Sequence, residues 1–164
     1  MIIDGKYFRT IWLDETNNEV VCCIDQRFLP HQFVIEKIAV ADEMAISIRE
    51  MHVRGAGLIG AAAGYGMYLA AIESAKALSF DENLMRCAQK LKATRPTAVN
   101  LAWAVDRQVK SISAGNSIEE KIALAKRTAA QIADEDAAHC ASIGEHGVGL
   151  IEQISKTKRG DVVN

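Results

Sequence analysis

The chain has little proline, few aromatic side chains and no excess of charge of either sign. It holds two prolines and 5% aromatic residues among 164 residues, of which 49% are hydrophobic. Proline is costly inside helices, so its scarcity, together with abundant alanine, favours a mainly helical chain that is long enough to bury a core. The formal net charge of −2 offers no basic surface of the kind that binds nucleic acid, and no such partner is expected.

The sequence also lacks a long apolar run, a secretory signal and a cysteine motif. No stretch reaches the roughly 18 uninterrupted apolar residues of a membrane span, so no membrane partner is expected. The N-terminus has no basic segment followed by an apolar one, and a cytoplasmic location is expected. The cysteines at 22, 23, 87 and 140 show no CxxC spacing. We expect them to be reduced, with no metal and no cofactor.

Strand-like segments rich in β-branched and aromatic residues lie near the N-terminus. They occupy residues 8–13, 20–24 and 33–38. The spacer Asp-Glu-Thr-Asn-Asn at 14–18 has turn chemistry and predicts a β-hairpin between the first two segments. A small antiparallel sheet of about three strands is therefore predicted.

Beyond residue 40 the hydrophobic period becomes helical. Helices are predicted over residues 42–51, 56–78, 79–93, 97–113, 117–142 and 145–156. Their expected boundaries are the caps Asp42, Ser79 and Ser117, the first helical residue Pro96 and the breaker Gly144. The predicted fold class is α+β, with a small N-terminal antiparallel sheet followed by a five- to six-helix bundle.

Arg54 stands directly before the glycine- and alanine-rich helix predicted over residues 56–78. A helix N-terminus carries partial positive charge and unpaired N–H groups, and a guanidinium adds a bidentate fork for phosphate oxygens. The pattern is neither a dinucleotide fingerprint nor a P-loop. An alternative is a structural salt bridge for Arg54, with the glycines serving helix packing alone.

A second arginine, Arg95, stands before the helix predicted from Thr97, and it could close on the same anion if the two helix starts converge. Asn100 and Trp103 are predicted on the inward face of that helix, with Trp103 in the core. In the alternative interpretation Asn100 bonds to backbone and Arg107 pairs with a surface carboxylate.

Histidine, thiol and carboxylate groups also occur close together near the C-terminus. His139 and Cys140 are neighbours, so on a helix they point about 100° apart. That separation argues against a metal site or an activated nucleophile. His146, after Glu145, is expected to cap or start a helix.

Several blocks of the chain, in order, resemble the methylthioribose-1-phosphate isomerase family. This family also contains ribose-1,5-bisphosphate isomerases and the regulatory subunits of eukaryotic initiation factor 2B. The blocks span nearly the whole chain and are specific together, although each is modest alone. They are residues 9–12 (Arg-Thr-Ile-Trp), 24–30 (Ile-Asp-Gln-Arg-Phe-Leu-Pro), 51–56 (Met-His-Val-Arg-Gly-Ala), 95–103 (Arg-Pro-Thr-Ala-Val-Asn-Leu-Ala-Trp) and 144–147 (Gly-Glu-His-Gly).

The resemblance implies an isomerase that converts an aldose 1-phosphate to a ketose 1-phosphate, in methionine salvage or related deoxypentose-phosphate metabolism. It implies that Arg54, Gly55, Ala56 and Arg95 bind the phosphorylated pentose, and that the full-length protein is a homodimer. Gly57 departs from the proline that usually follows Arg-Gly-Ala in the family, which leaves the identity of the sugar open.

The resemblance also implies a longer protein. Residues 1–40 are expected to form an antiparallel β subdomain, residues 41–158 a helical domain, and residues 159–164 the start of a missing Rossmann-like C-terminal domain. The family's catalytic cysteine, in a Thr-His-Cys-Asn-Ala-Gly motif, and its catalytic aspartate lie in that later part. We therefore expect no catalytic residue in this chain and no turnover by the chain alone.

Two other functions stay open on the sequence alone. The chain could belong to a non-catalytic regulatory or assembly subunit resembling initiation factor 2B. Its helices could also serve only folding and dimerisation.

Overall fold

The computed structural model describes residues 2–3 and 5–158 as short strands followed by helices. The strands are β1 (Ile2–Ile3), β2 (Lys6–Tyr7), β3 (Ile11–Leu13), β4 (Val21–Ile24) and β5 (Ile35–Ile38). The helices are α1 (Ala41–Arg49), α2 (Ala56–Ser74), α3 (Phe80–Thr94), α4 (Val99–Ile112) and α5 (Ile118–Thr157). This order confirms the predicted α+β class. The further domain expected to start at residues 159–164 falls outside the described residues.

The three-stranded sheet has the order β3-β4-β5, with both pairs antiparallel. Asp14 shapes the turn after β3, because its Oδ1 accepts hydrogen bonds from the backbone N–H groups of Thr16 and Asn17. All four residues of the central strand β4 are buried. The predicted hairpin and third strand are therefore confirmed. The additional pairing of β1 with β2 escapes sequence patterning, since strands of two residues carry no period.

Helix α2 forms the centre of the core. Its residues 58–71 are all buried, and a helix that is apolar on every side is typical of a core position. By length and composition α2 could cross a membrane, but 78% of its most apolar window is buried inside the protein. Close packing depends on its glycines: a Cβ on Gly66 would lie 3.0 Å from Met44 Cγ and 3.1 Å from Leu91 Cδ2.

Two of the three predicted helix caps are confirmed. Ser79 Oγ and Ser117 Oγ accept hydrogen bonds from backbone N–H groups in the first turns of α3 and α5, at 3.4 and 3.2 Å. Asp42 is not a cap, because α1 begins at Ala41 and Asp42 lies within its first turn. The N–H of Ala41 instead donates to Glu73 Oε1 on α2 at 2.7 Å.

Two predicted helix boundaries are wrong. Pro96 does not begin α4, which starts at Val99, because the N–H of Ala98 donates to the Arg95 carbonyl and forms a turn first. Gly144 does not break α5, which continues through it. One glycine costs a helix only about 1 kcal/mol, which is too little to end it without a proline or a competing cap.

The chain divides into two compact units, residues 1–133 and residues 134–164. The first unit contains the sheets, helices α1 to α4, the first part of α5 and the whole hydrophobic core cluster. In the second unit the described residues continue α5 with mostly exposed side chains, including Ile143, Leu150 and Ile154.

Candidate anion-binding site

The N-terminus of α2 follows Arg54 and has a cap residue without a side chain. Gly55 occupies the N-cap position with φ 92° and ψ 138°, a backbone conformation that favours glycine. Its carbonyl accepts a hydrogen bond from the N–H of Ile59 at 3.0 Å, yet no side chain caps the first turn. The N–H groups of Ala56 and Gly57 are therefore available to a ligand.

The N-terminus of α4 also follows an arginine and has no side-chain cap. Arg95 is the C-cap of α3, with φ −146° and ψ 82°, and a tight turn leads from it into α4. Ala98 occupies the N-cap position and provides no side-chain hydrogen bond. The N–H groups of Val99 and Asn100 are thus uncapped, shortly after an arginine.

Helices α2 and α4 lie side by side and run parallel. Gly60, in the second turn of α2, lies against the first turn of α4, and a Cβ on it would be 3.2 Å from the Asn100 carbonyl oxygen. Further along both helices, Gln108 Nε2 donates to the Gly64 carbonyl at 2.8 Å. Because the residue numbers in these two contacts increase together, the two N-termini lie at the same end of the pair.

The first turns of the five helices differ in charge. Acidic residues stand in the first turns of α1, α3 and α5, whereas the first turns of α2 and α4 have none. A carboxylate at a helix N-terminus neutralises the positive end of the helix dipole. The positive ends of α2 and α4 are therefore not neutralised from within their own first turns.

Neither arginine has a carboxylate partner in the part of the chain that the structure describes. Arg54 is exposed, and its Nε donates to the Met51 carbonyl at 3.2 Å. Arg95 is half-buried. The ion pairs among the described residues involve other basic side chains, for example those of Arg27, Lys37 and Lys121. The salt-bridge alternative for Arg54 thus finds no partner among residues 2–3 and 5–158.

The loop that carries Arg54 is tied to the neighbouring sheet and helix. Met51 has a positive φ of 63°, which is uncommon for a residue other than glycine. Next to it, the N–H of His52 donates to the Ser47 carbonyl at 2.9 Å, and the His52 carbonyl accepts from the N–H of Gln26 at 2.8 Å. These bonds hold the backbone just before Arg54.

A cluster of two carboxylates and a histidine includes His52 of this loop. Asp25, Glu36 and His52 each offer a ligand atom, and these atoms lie within 4.8 Å of one another. The Arg27 guanidinium, whose Nη2 is 2.6 Å from Asp25 Oδ2, holds the pKa of that carboxyl below its usual value. Burial, with Glu36 nearby, raises the pKa of the Cys23 thiol to about 12. Within the cluster Asp25 is paired with Arg27, and Glu36 is paired with His52. The cluster residues are too far apart in sequence to form a motif.

The predicted core position of Trp103 is wrong. Trp103 is 48% exposed, and Asn100 is exposed as well. The guanidinium of Arg107 lies 5.3 Å from the centre of the Trp103 ring. The buried face of α4 consists of Leu101, Ala104, Val105, Gln108 and Ile112. Both 100/103 and 101/104/108 follow helical spacing, so periodicity alone could not choose between these faces.

The histidines and cysteine near the C-terminus lie on α5. His139, Cys140 and His146 are all exposed. His146 neither caps nor starts a helix, because it lies inside α5, where its Nδ1 is 2.7 Å from the Ser142 carbonyl oxygen of the preceding turn. One nitrogen of the His146 ring is thus satisfied within the helix.

A cavity of about 620 Å³ lies on the N-terminal sheet, away in sequence from the two arginines. Its lining includes Phe8, Arg9, Trp12 and Lys37, and it includes none of the predicted substrate-binding residues. The candidate anion site at the two helix N-termini therefore lies outside this cavity.

Comparison with known proteins identifies the family. The profile of the Initiation factor 2 subunit family matches residues 52–163, a stretch that contains both arginines and helices α2 to α5. The chain belongs to the initiation factor 2 subunit family.

Curated members of the family are similar along the whole chain. The methylthioribose-1-phosphate isomerase of Desulfatibacillum aliphaticivorans is 41% identical over 100% of this chain and 44% of its own length. The corresponding enzyme of Paramagnetospirillum magneticum is 45% identical over 96% of this chain and 42% of its own. An uncharacterised protein of Rhodospirillum rubrum is 42% identical over 96% of this chain and 83% of its own. The chain thus spans less than half the length of the isomerases that it matches.

Two solved structures, one named as an isomerase and one as an initiation factor subunit, share the fold. The 5-methylthioribose 1-phosphate isomerase of Pyrococcus horikoshii matches with a TM-score of 0.72 and 41% identity, over 79% of this chain and 37% of that one. The delta subunit of translation initiation factor eIF-2B from A. fulgidus matches with a TM-score of 0.70 and 33% identity, over 80% and 38%. The fold is therefore common to a protein named as an enzyme and one named as an initiation factor subunit.

Proposed function

We propose that this chain is the N-terminal part of an aldose-1-phosphate to ketose-1-phosphate isomerase, like the methylthioribose-1-phosphate isomerases to which it is similar. In this proposal Arg54, Gly55, Ala56 and Arg95 bind the phosphate of a phosphorylated pentose. The observation that carries it is the pair of parallel helices whose N-termini lack side-chain caps and acidic first turns. Each follows an arginine that has no carboxylate partner among the described residues.

Electrostatics explain why this arrangement suits a phosphate monoester. Each helix N-terminus is equivalent to roughly half a positive charge, so two parallel ones supply about one. Two guanidinium groups add forks that match phosphate oxygens. A phosphate monoester carries about −1.5 to −2 at neutral pH. Together the two helix N-termini and the two guanidinium groups supply roughly +3, which exceeds the negative charge of the ligand and favours its binding.

The chemistry of the substrate explains why the chain alone would bind without turning over. A sugar phosphorylated at its anomeric oxygen cannot open freely to an aldehyde. Isomerisation needs a group acting at C1–C2 and a proton donor or acceptor for the ring oxygen. Arginines and backbone amides position a phosphate but do not move protons at neutral pH. The Thr-His-Cys-Asn-Ala-Gly motif does not occur in this sequence.

A non-catalytic role is the second candidate. The similarity to the eIF-2B delta subunit, at a TM-score of 0.70, favours a helical domain that mediates assembly or senses a phosphorylated metabolite. Isomerase activity of the complete gene product would separate the two roles, since only the enzyme interconverts aldose and ketose phosphates. We further propose that the complete protein is a cytoplasmic homodimer without a nucleic-acid or membrane partner.

Titration calorimetry of this chain with 5-methylthioribose 1-phosphate tests the proposed site. Arg54→Ala and Arg95→Ala should each weaken binding by about 10-fold or more, because each removes a charge-assisted hydrogen bond worth roughly 1.5–3 kcal/mol. The matched control is Arg86→Ala, since Arg86 lies on the exposed surface of α3 and bonds to Asn83. Wild-type affinity in both site variants would contradict the proposal. Parallel titrations with 5-deoxyribose 1-phosphate and ribose 1,5-bisphosphate would identify the preferred sugar.

A further inference from the structure

A buried histidine lies two residues before Arg54. His52 is 6% exposed, and its Nδ1 is 2.9 and 3.0 Å from the two carboxylate oxygens of Glu36. An Nδ1–H in this position donates to the carboxylate and fixes the orientation of the ring. Nε2 is buried and has no hydrogen-bond partner in the described residues, although Glu50 Oε2 lies 3.9 Å from it. The hydrogen bond of the ring is therefore made through Nδ1.

Glu36 is itself fixed from three directions. It lies on β5, where it is paired in register with Cys23 of β4. Its Oε2 accepts from Ser47 Oγ on α1 at 3.3 Å and from Cys23 Sγ at 3.7 Å. The carboxylate therefore gives His52 an anchor that belongs to the sheet and to α1, rather than to the loop.

The loop needs such an anchor because its backbone has a positive φ at two positions, and at Met51 this conformation is unfavourable. Met51 and Gly55 have φ values of 63° and 92°, on either side of His52 and Arg54. A residue other than glycine at positive φ persists only where its surroundings determine the conformation. The side chain of His52 is the buried polar contact between these two positions.

We propose that the Glu36–His52 pair is the positioning device of the anion site, holding the loop so that Arg54 and the first amides of α2 face the ligand. This inference rests on the proposed function for the identity of the ligand. Neither Glu36 nor His52 touches the phosphate, and each acts through the backbone of residues 51–55.

Three variants separate this role from general stability. His52→Leu removes both ring nitrogens and keeps the buried volume apolar. His52→Asn keeps a donor, because its amide nitrogen is attached to Cγ as Nδ1 is. The control is Lys37→Met, which breaks the ion pair of the next β5 residue with Asp14, at 2.7 Å.

Amide hydrogen exchange in the ligand-free chain tests the positioning role directly. The reporters are the N–H groups of Gln26, His52 and Ile59, which bond to carbonyls in or beside the loop, and the references are those of Asn83 and Ser113 in α3 and α4. His52→Leu should speed exchange at the reporters about 10-fold relative to the references, as expected for loss of a charge-assisted bond. His52→Asn should restore rates to within about threefold, and Lys37→Met should leave the reporters unchanged.

Two results would overturn the inference. One is reporter exchange in His52→Leu that matches the wild type. The other is an Asn variant that exchanges as fast as the Leu variant. If His52→Leu does not fold, Glu36→Gln takes its place, because it keeps an acceptor but removes the charge. It should speed the reporters about threefold, and an unchanged rate there would equally refute the role.

Binding of inorganic phosphate, measured by calorimetry on the same proteins, links the loop to the ligand. His52→Leu should weaken phosphate binding by about fivefold or more. His52→Asn and Lys37→Met should bind phosphate within about twofold of the wild-type affinity. A wild-type chain that binds neither phosphate nor sugar phosphate would defeat the proposed function, and the exchange experiment would still decide the role of the pair. Wild-type phosphate affinity in His52→Leu, despite faster loop exchange, would overturn the link to the ligand.

Discussion

The N-termini of α2 and α4 contrast with those of α3 and α5. Ser79 and Ser117 cap α3 and α5 through their hydroxyl oxygens, and each of these helices has two acidic residues in its first turn. In α2 and α4 the cap residues are Gly55 and Ala98, and the first turns have no acid. Caps of the first kind are each worth about 0.5–2 kcal/mol. The chain thus lacks this local stabilisation at α2 and α4 and has it at α3 and α5.

The difference is informative because it coincides with the two arginines. A serine or an aspartate at the N-cap of α4 would improve that helix, but it would also occupy the amides, and an aspartate would repel an anion. At the N-cap of α2 the positive φ of Gly55 favours glycine, which has no side chain to cap the amides. Local rules of stability tend to be broken at functional sites. The first turns of α2 and α4 break those rules together and at the same end of one helix pair.

Separating the two N-termini should have the largest effect. Gly60→Val places a branched side chain against the Asn100 carbonyl, where even a Cβ would lie at 3.2 Å. Overpacking of this kind costs about 1–3 kcal/mol, and phosphate affinity should fall as α2 and α4 move apart. Thermal unfolding and calorimetry measure both effects. In the control Gly149→Val a Cβ meets nothing within 4 Å, and changes should stay below about 0.5 kcal/mol. Equal effects in the two variants would contradict the close approach.

Removing a cap should cost stability without touching the site. Ser79→Ala deletes the hydroxyl that accepts from the N–H of Glu82 at 3.4 Å, and should lower the free energy of unfolding by about 1 kcal/mol. Binding of phosphate should remain at the wild-type level, because α3 contributes no N-terminus to the site. Denaturant unfolding and a parallel phosphate titration check both statements. Weaker phosphate binding in Ser79→Ala would contradict the distinction between the capped helices and the two uncapped helices of the site.

Giving α2 the acidic first turn of α3 should produce opposite effects on stability and binding. Ala56 is exposed, so Ala56→Asp adds a carboxylate beside the free amides without crowding the core. The helix dipole predicts a gain of about 0.3–1 kcal/mol in stability. The same charge should weaken phosphate binding by about 10-fold or more. The neutral variant Ala56→Ser is the control for size. If Ala56→Asp is more stable but binds phosphate with wild-type affinity, the anion site at the N-terminus of α2 is refuted.

Sequence patterning predicted the fold well where the signals were local. The hairpin turn around Asp14 and the caps at Ser79 and Ser117 depend on side chains that bond within a few residues of themselves. The helix boundaries predicted from Pro96 and Gly144 were wrong because each of these residues is compatible with two local structures. The turn bond from Ala98 to Arg95 delays α4, and the length of α5 outweighs one glycine.

The candidate site was predictable only in part, because its contacts between distant residues leave no local signal in the sequence. Arg54 and Arg95 were found from their positions before helical segments, and the proposal that they bind phosphate with Gly55 and Ala56 remains a prediction. That the two helices run parallel depends on the contact between Gly60 and Asn100, which no periodicity encodes. The pairing of Glu36 with His52 likewise joins a strand to a loop 16 residues away.

An NMR titration of the ¹⁵N-labelled chain with inorganic phosphate tests the central claim most directly. The account predicts shifts of the backbone amides of Ala56, Gly57, Val99 and Asn100 along one binding curve with a single Kd, and unchanged amides at the capped starts of α3 and α5. Separate curves for α2 and α4, or equal shifts at the N-termini of α3 and α5, would contradict a shared anion site at the two arginines.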